Sequence, residues 1–547
     1  MKRIITLILV SLMLFTSVSV TACGGRGGDE IIINKDKSQL NIGVFDAGYG
    51  SAWAYETAAD FEALYANTSF EEGKMGVQVV IDPKKAEFTT TTLTSTMAGK
   101  NNAMYYLTNF QYDAVQSAGL VADITDAINA KVYDANGELA MMDDGKGNLI
   151  PIKGKTASLS MYDRANDEVK DLYLESDGKY YGAPWAGVIS SIVYDADLFS
   201  EKGYFSDSKG NFKKTLADVE KGDCGPGPDG EMGTADDGMP ETYAAFLKLL
   251  LKMRDDDVIP FTWSGTTPYQ RNGAFGNIYA NYQGAEGYAE NFASDRTFEK
   301  LAEHEGRKAA IQFFSDIVKG EHYATNAFTQ SYTDAQSNYI NSIDDEKPIA
   351  FFFEGSYWES ETRRSFDEMA KDDANMGYGK RNFKFFPVPN FVGTPGITDQ
   401  TNTKEKEVLC GTHADAIVFI TEKNTCENPE LQKRLAKLFM QFNASREQNV
   451  KTIKNTGGCI PMYDYKIEES EVKTLTKFGQ DIFRYMKEGS KIVWCTEFQE
   501  DTFNTLRFMV RYNGIQFYDC ASIFNKNPDL SVADCFNENQ KAIRALN

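Results

Sequence analysis

The sequence predicts an α/β fold with a layered, largely parallel sheet and more than one domain. Two observations carry this: strand-like and helix-like patterns alternate along the chain, and 547 residues exceed what one hydrophobic core ordinarily serves. There are no heptads, no internal repeat and no long low-complexity tract apart from one Gly-rich stretch near the N-terminus.

The elements follow in order. Met1-Lys2-Arg3 places two positive charges before the apolar run Ile4 to Val20, the layout of a secretory signal. The run ends in Val20-Thr21-Ala22-Cys23, small residues before a cysteine, which resembles the lipobox cleaved ahead of a diacylglycerol-modified Cys. Residues 1–22 are therefore expected to be a lipoprotein signal, Cys23 the lipidated first residue of the mature chain, and 23–38 a flexible tether, since Gly24-Gly25-Arg26-Gly27-Gly28-Asp29-Glu30 cannot pack. The rest is expected to lie outside the membrane, anchored at its extracytoplasmic face.

Leu40 to Phe45 reads as a buried strand leading through Asp46-Ala47-Gly48-Tyr49-Gly50-Ser51 into a helix over 52–65, where Ala54, Ala58, Phe61 and Tyr65 recur at helical spacing. Strands are expected at 77–81, 102–107, 189–194, 349–353 and 416–420. Helices are expected at 89–98, 242–254, 308–318, 429–442, 472–487 and 498–512.

Composition narrows function. The formal charge of −22 argues against nucleic acid as a partner. Seven cysteines follow Cys23 with no CxxC spacing, so neither a zinc ribbon nor a complete disulfide framework is expected. Three histidines, His304, His322 and His413, with no HExxH, GxSxG or P-loop, give no support to histidine-centred catalysis or to an organic cofactor.

Several segments, taken in order, resemble the extracellular solute-binding proteins of carbohydrate ABC transporters, the group that includes maltose-binding protein. These are Tyr181-Gly182-Ala183-Pro184-Trp185 with Ile192-Val193-Tyr194-Asp195 and Leu198-Phe199; Ala350-Phe351-Phe352-Phe353-Glu354-Gly355-Ser356-Tyr357-Trp358; Phe385-Phe386-Pro387-Val388-Pro389; Gly411-Thr412-His413-Ala414-Asp415-Ala416; and Thr456-Gly457-Gly458-Cys459-Ile460-Pro461. The resemblance implies a two-lobe periplasmic-binding-protein-like (type II) fold with an interlobe ligand cleft and three hinge crossovers. Lobe 1 would take 39–187 plus 412–458, and lobe 2 would take 188–411 plus 459–547. It further implies a monomer that is not an enzyme, delivering a sugar or oligosaccharide to ABC permease subunits. A lipid-anchored glycoside hydrolase and a sensory ligand receptor are the alternatives, because each combines aromatic platforms with acidic groups.

Sugars offer flat C–H faces ringed by hydroxyls, so aromatic platforms and planar polar groups are the residues to seek. Tyr49 and Trp53 sit at the first strand-to-helix turn, at the carboxyl edge where α/β sheets bind ligands. Trp185 precedes the first crossover, and Trp263 and Tyr269 flank a Ser-Gly-Thr-Thr-Pro loop followed by Arg271. Glu354, Tyr357, Trp358 and Glu359 follow the apolar strand 349–353, and the family places a stacking aromatic there. Trp494 is a weaker candidate, since Ile492 and Val493 beside it suggest burial. Finally, the stretch 223–241 alternates oxygen donors with glycines, as a structural calcium requires, with Asp223, Asp229, Glu231, Asp236, Asp237 and Glu241 as ligands. The alternative is a solvated acidic turn that caps the helix beginning near Thr242.

Overall fold

The computed structural model describes residues 32–546 except 86, 89–91, 100, 109–111, 268, 294–295, 399–406, 424–425, 464–466, 486–490, 496–505 and 508. The signal segment, Cys23 and the start of the tether lie outside these residues. Residues from Asp36 onward belong to one unit. No helix among the described residues is long and apolar enough to cross a membrane.

A mixed sheet organises the chain. Its strands are β1 (Ser38–Phe45), β2 (Val77–Lys84), β3 (Met104–Thr108), β4 (Ala183–Asp195), β5 (Ile259–Thr262), β6 (Ile349–Gly355), β7 (Phe383–Phe385), β8 (Val408–Ile420), β9 (Ile460–Pro461) and β10 (Lys491–Cys495). The order is β2-β1-β3-β8-β4-β6-β5, with β7 and β9 also paired to β4 and β10 to β8. In β1 the alternate residues Leu40, Ile42 and Val44 are buried, as a period of two requires of a strand pressed on a core. β4 is buried along its whole length and so carries no alternation.

The sheet is less parallel than the alternation of elements predicts. The β1–β2, β1–β3, β6–β5 and β8–β10 pairs are parallel. β8, however, runs antiparallel to both β3 and β4, and β6 antiparallel to β4. The physical reason is that β4 and β8 are long strands that return through the sheet, so their neighbours meet them in the opposite sense.

Two apolar cores flank these strands. One gathers the side chains of β1 to β3 with Phe61, Trp185, Phe439 and Ile453, and continues to Tyr339, Trp358, Phe383 and Phe478. The other gathers Phe246, Phe261, Trp263, Ile278, Phe313, Phe351 and Ile523. The three segments read as crossovers are neighbours at the boundary: Gly187 pairs with Ile460, and Val188 and Ile189 pair with Thr412 and Gly411. The β8 register shifts between Thr412 and Ala416, an irregularity placed at the crossing.

Most helices stand where periodicity puts them, including 52–64, 243–255, 306–319 and 429–443. The expected helix over 472–487 is two pieces, Glu469–Val472 and Lys477–Tyr485. The break has a cause: the Thr476 hydroxyl accepts the Gly479 N–H, which caps a new helix start. Most of 498–512 lies outside the described residues, and its end, Arg511–Tyr512, is a short strand paired with Ile515–Gln516.

Candidate functional site

The first turn of the sheet and the loop after β6 come together. β1 ends at Phe45, and Gly48 (φ +58°) turns the chain so that the helix 52–64 starts beyond the strand's carboxyl edge. Tyr49 then points inward. Its hydroxyl donates to the Gly187 carbonyl at 2.6 Å and lies 3.2 Å from the Ser356 Oγ. Its ring meets Trp185 edge-on at 6.1 Å and Tyr357 at 6.2 Å. Trp53 lies against Trp185 with centroids 4.4 Å apart and ring planes tilted by 32°, and it donates Nε1–H to the Gly50 carbonyl. Tyr49, Trp53, Trp185 and Tyr357 are thus one aromatic cluster; the first three are buried, and Tyr357 is half-buried.

Three polar side chains that sequence reasoning missed complete it. Glu361 accepts the Gly48 N–H at 3.0 Å and the Gln336 amide at 2.7 Å, and its carboxylate stands 3.9 Å from Lys85. Lys85 also lies 4.5 Å from the Tyr332 ring centroid. Lys85 follows β2 at the same carboxyl edge that singled out Tyr49, so the same rule would have found it. Glu361 is the last of the acidic residues in Glu354-Gly355-Ser356-Tyr357-Trp358-Glu359-Ser360-Glu361, but spacing alone does not say which carboxylate faces outward.

Glu354 lies beneath Glu361, fully buried, with the Gln336 amide 3.4 Å away. Burial first, and the Glu361 charge second, push its carboxyl up to about 8.

Other expected residues are placed elsewhere. Trp358 has no exposed surface; it packs among Tyr339, Phe352, Phe366, Phe383 and Phe478, so the ring read as a platform is core in this conformation. The cause is local, because the short helix 358–361 that begins there turns its first side chain inward. Glu359 is buried with it, holding the Thr476 hydroxyl, and burial pushes it up to about 7. Trp263 is likewise core, stacked on Phe353 at 5.7 Å. Tyr269 and Arg271 open the helix 269–283, and their side chains lie outside the described residues.

In the acidic loop the carboxylates serve the loop itself. Asp236 accepts the Asp229 N–H and the Thr234 hydroxyl, Asp237 accepts the Gly233 N–H, and Asp229 accepts the Glu231 N–H. Asp223 pairs with Lys214 at 2.6 Å. Among the described residues no group of three or more His, Cys, Asp or Glu side chains stands where it could hold a metal ion.

No protein-family model and no curated protein matches this chain. Solved structures do match its shape. The bacterial solute receptor AcbH, described with an exclusive preference for β-D-galactopyranose, superposes with a TM-score of 0.55 at 12% identity, covering 93% of this chain and 98% of its own. A protein of xylan utilization from the thermophilic bacterium Caldanaerobius polysaccharolyticus gives 0.54 at 13%, covering 92% and 99%. A chitin oligosaccharide binding protein gives 0.52 at 14%, covering 93% and 99%. At these identities the likeness establishes the fold alone: a two-lobe, type II α/β architecture.

Proposed function

We propose that this protein captures a sugar or oligosaccharide outside the membrane and delivers it to the permease of an ABC importer without transforming it. The observation that carries the reading is the meeting of two aromatic, polar segments in a two-lobe fold, the turn bearing Tyr49 and the loop bearing Tyr357 and Glu361. The carbohydrate ligands named for AcbH and for the chitin oligosaccharide protein support it. Lobe 1 is assigned 39–187 plus 412–458 and lobe 2 the rest, with the hinge where Gly187, Gly411 and Ile460 lie on adjacent strands. Cys23 carries the lipid anchor in this reading, as its place after the apolar run and before the glycines suggests.

Catalysis is the weaker reading. His304 is held between the Tyr279 hydroxyl and Glu290, and burial pushes both His304 and His322 down to about 4, which suits structure more than proton transfer at neutral pH. The Glu354 and Glu361 pair is the place where a hydrolase would put its acid and base.

A thermal-shift panel of mono- and oligosaccharides, with mass analysis of the recovered ligand, decides between them. A saturable rise in Tm with intact sugar is expected. Cleaved sugar would establish the hydrolase instead, and silence across the panel would remove carbohydrate as the cargo.

A further inference from the structure

The turn and the loop that would flank a ligand already hold each other. Glu361 spans the gap: one carboxylate oxygen takes the Gly48 N–H and faces Lys85, while the other is fixed on its own side by Gln336. The Ser360 hydroxyl donates to the Tyr49 carbonyl at 3.3 Å, so the N–H of Gly48 and the C=O of Tyr49 are both engaged from the opposite side. Lys85 reaches across as well, to the ring of Tyr332. These are the groups a sugar hydroxyl would use: a backbone amide and carbonyl, an ammonium and a carboxylate at the rim of an aromatic cluster.

We infer that Glu361 is a latch that holds the Tyr49 turn and the Tyr357 loop together, so that a sugar enters by displacing the Glu361 carboxylate from Gly48 and Lys85. The inference rests on the two-lobe reading given above and concerns the regulation of that site. Three features fit a latch. Gln336 presents Glu361 in one orientation, which reduces the ordering cost of the contact. Gly48 sits in the left-handed region that a side chain rarely adopts, and this aims its amide at the carboxylate. The Gln336 amide that holds Glu361 also lies 3.4 Å from the buried Glu354, so one side chain anchors both carboxyls on the loop's own side and leaves the outer Glu361 oxygen to Gly48 and Lys85. Apparent affinity then equals intrinsic affinity multiplied by the fraction of unlatched molecules.

The test does not require the ligand. Amide hydrogen exchange is measured on the full-length protein for wild type, Glu361→Ala, and Lys85→Met, the last placed on the opposite side so that a folding defect in either variant does not decide the result. The latch predicts exchange roughly tenfold faster in segments 46–51 and 355–361 of both variants, with exchange in β2 unchanged. Exchange in the two segments equal to wild type would overturn it. With a sugar from the panel, the variants are expected to associate roughly tenfold faster, and an unchanged association rate would also overturn it. A panel with no sugar bound would sink the proposed cargo while the exchange result still judged the latch.

Discussion

Asp195, Glu354, Glu359 and Glu407 are carboxyl groups removed from water, and burial pushes them up to about 6, 8, 7 and 8. A carboxyl raised in the folded state holds a proton that the unfolded chain has already lost. Stability therefore falls as pH rises from the free-carboxyl range up to each folded value. The two histidines near 4 work in the opposite sense, but their contribution is complete once pH passes the 6.5 of a free histidine. Between pH 6.5 and 8 the net expectation is a falling Tm, and Glu407→Gln should flatten that fall; an unchanged slope would mean that Glu407 is ionised in the fold. The Trp53–Trp185 pair gives a second test at this scale. Trp185→Ala removes a buried ring from the aromatic cluster and is expected to cost about 3–5 kcal/mol in chemical denaturation. The sequence made Trp53, Trp185, Glu354 and Glu359 legible as candidates because they stand at a strand-to-helix turn, before a crossover and after an apolar strand. It could not rank them, since whether a ring is platform or core depends on neighbours distant in sequence, as Trp358 shows with Phe383 and Phe478.

At the scale of elements, the crossing strands depend on missing side chains. A Cβ at Gly411 would run into the Trp494 ring, and one at Gly187 would stand 3.2 Å from the same ring. Two glycines on adjacent strands thus make a flat seat for Trp494, which is half-buried there. Gly411→Val is expected to lower stability by about 1–3 kcal/mol through overpacking, measured by denaturant titration. Full stability would mean that the ring has room to leave. The neighbours Ile492 and Val493 suggested burial for Trp494, which is half-buried; its seat could not be read, because the pairing of β10 with β8 joins residues far apart in the chain. The acidic loop 223–241 is an element of its own. The calcium proposed for it requires Asp229, Asp236 and Asp237 to turn from backbone amides to a shared ion. Adding calcium to chelator-treated protein should then raise Tm, and Asp236→Asn should abolish the rise; no rise would leave those carboxylates to the amides alone.

For the whole molecule, the order of motifs carried the fold. Gly187, Gly411–Thr412 and Ile460 lie far apart in sequence yet occupy adjacent strands, the arrangement that the proposed crossings between lobes would need. The mixed sense of the sheet was not legible, because strand direction follows from where the long strands return rather than from their composition. The contacts between the first turn and the loop after β6 were not legible either, since Gly48 and Glu361 are brought together only by the fold. The proposed function places capture of an intact sugar at the Tyr49–Tyr357 cluster. Isothermal titration of wild type and Tyr357→Ala with a sugar from the panel measures that capture. One intact sugar per chain, bound at least tenfold more weakly by the variant, is the expected result. Equal affinity in the two proteins would contradict the placement of the site, and heat from sustained turnover would contradict capture.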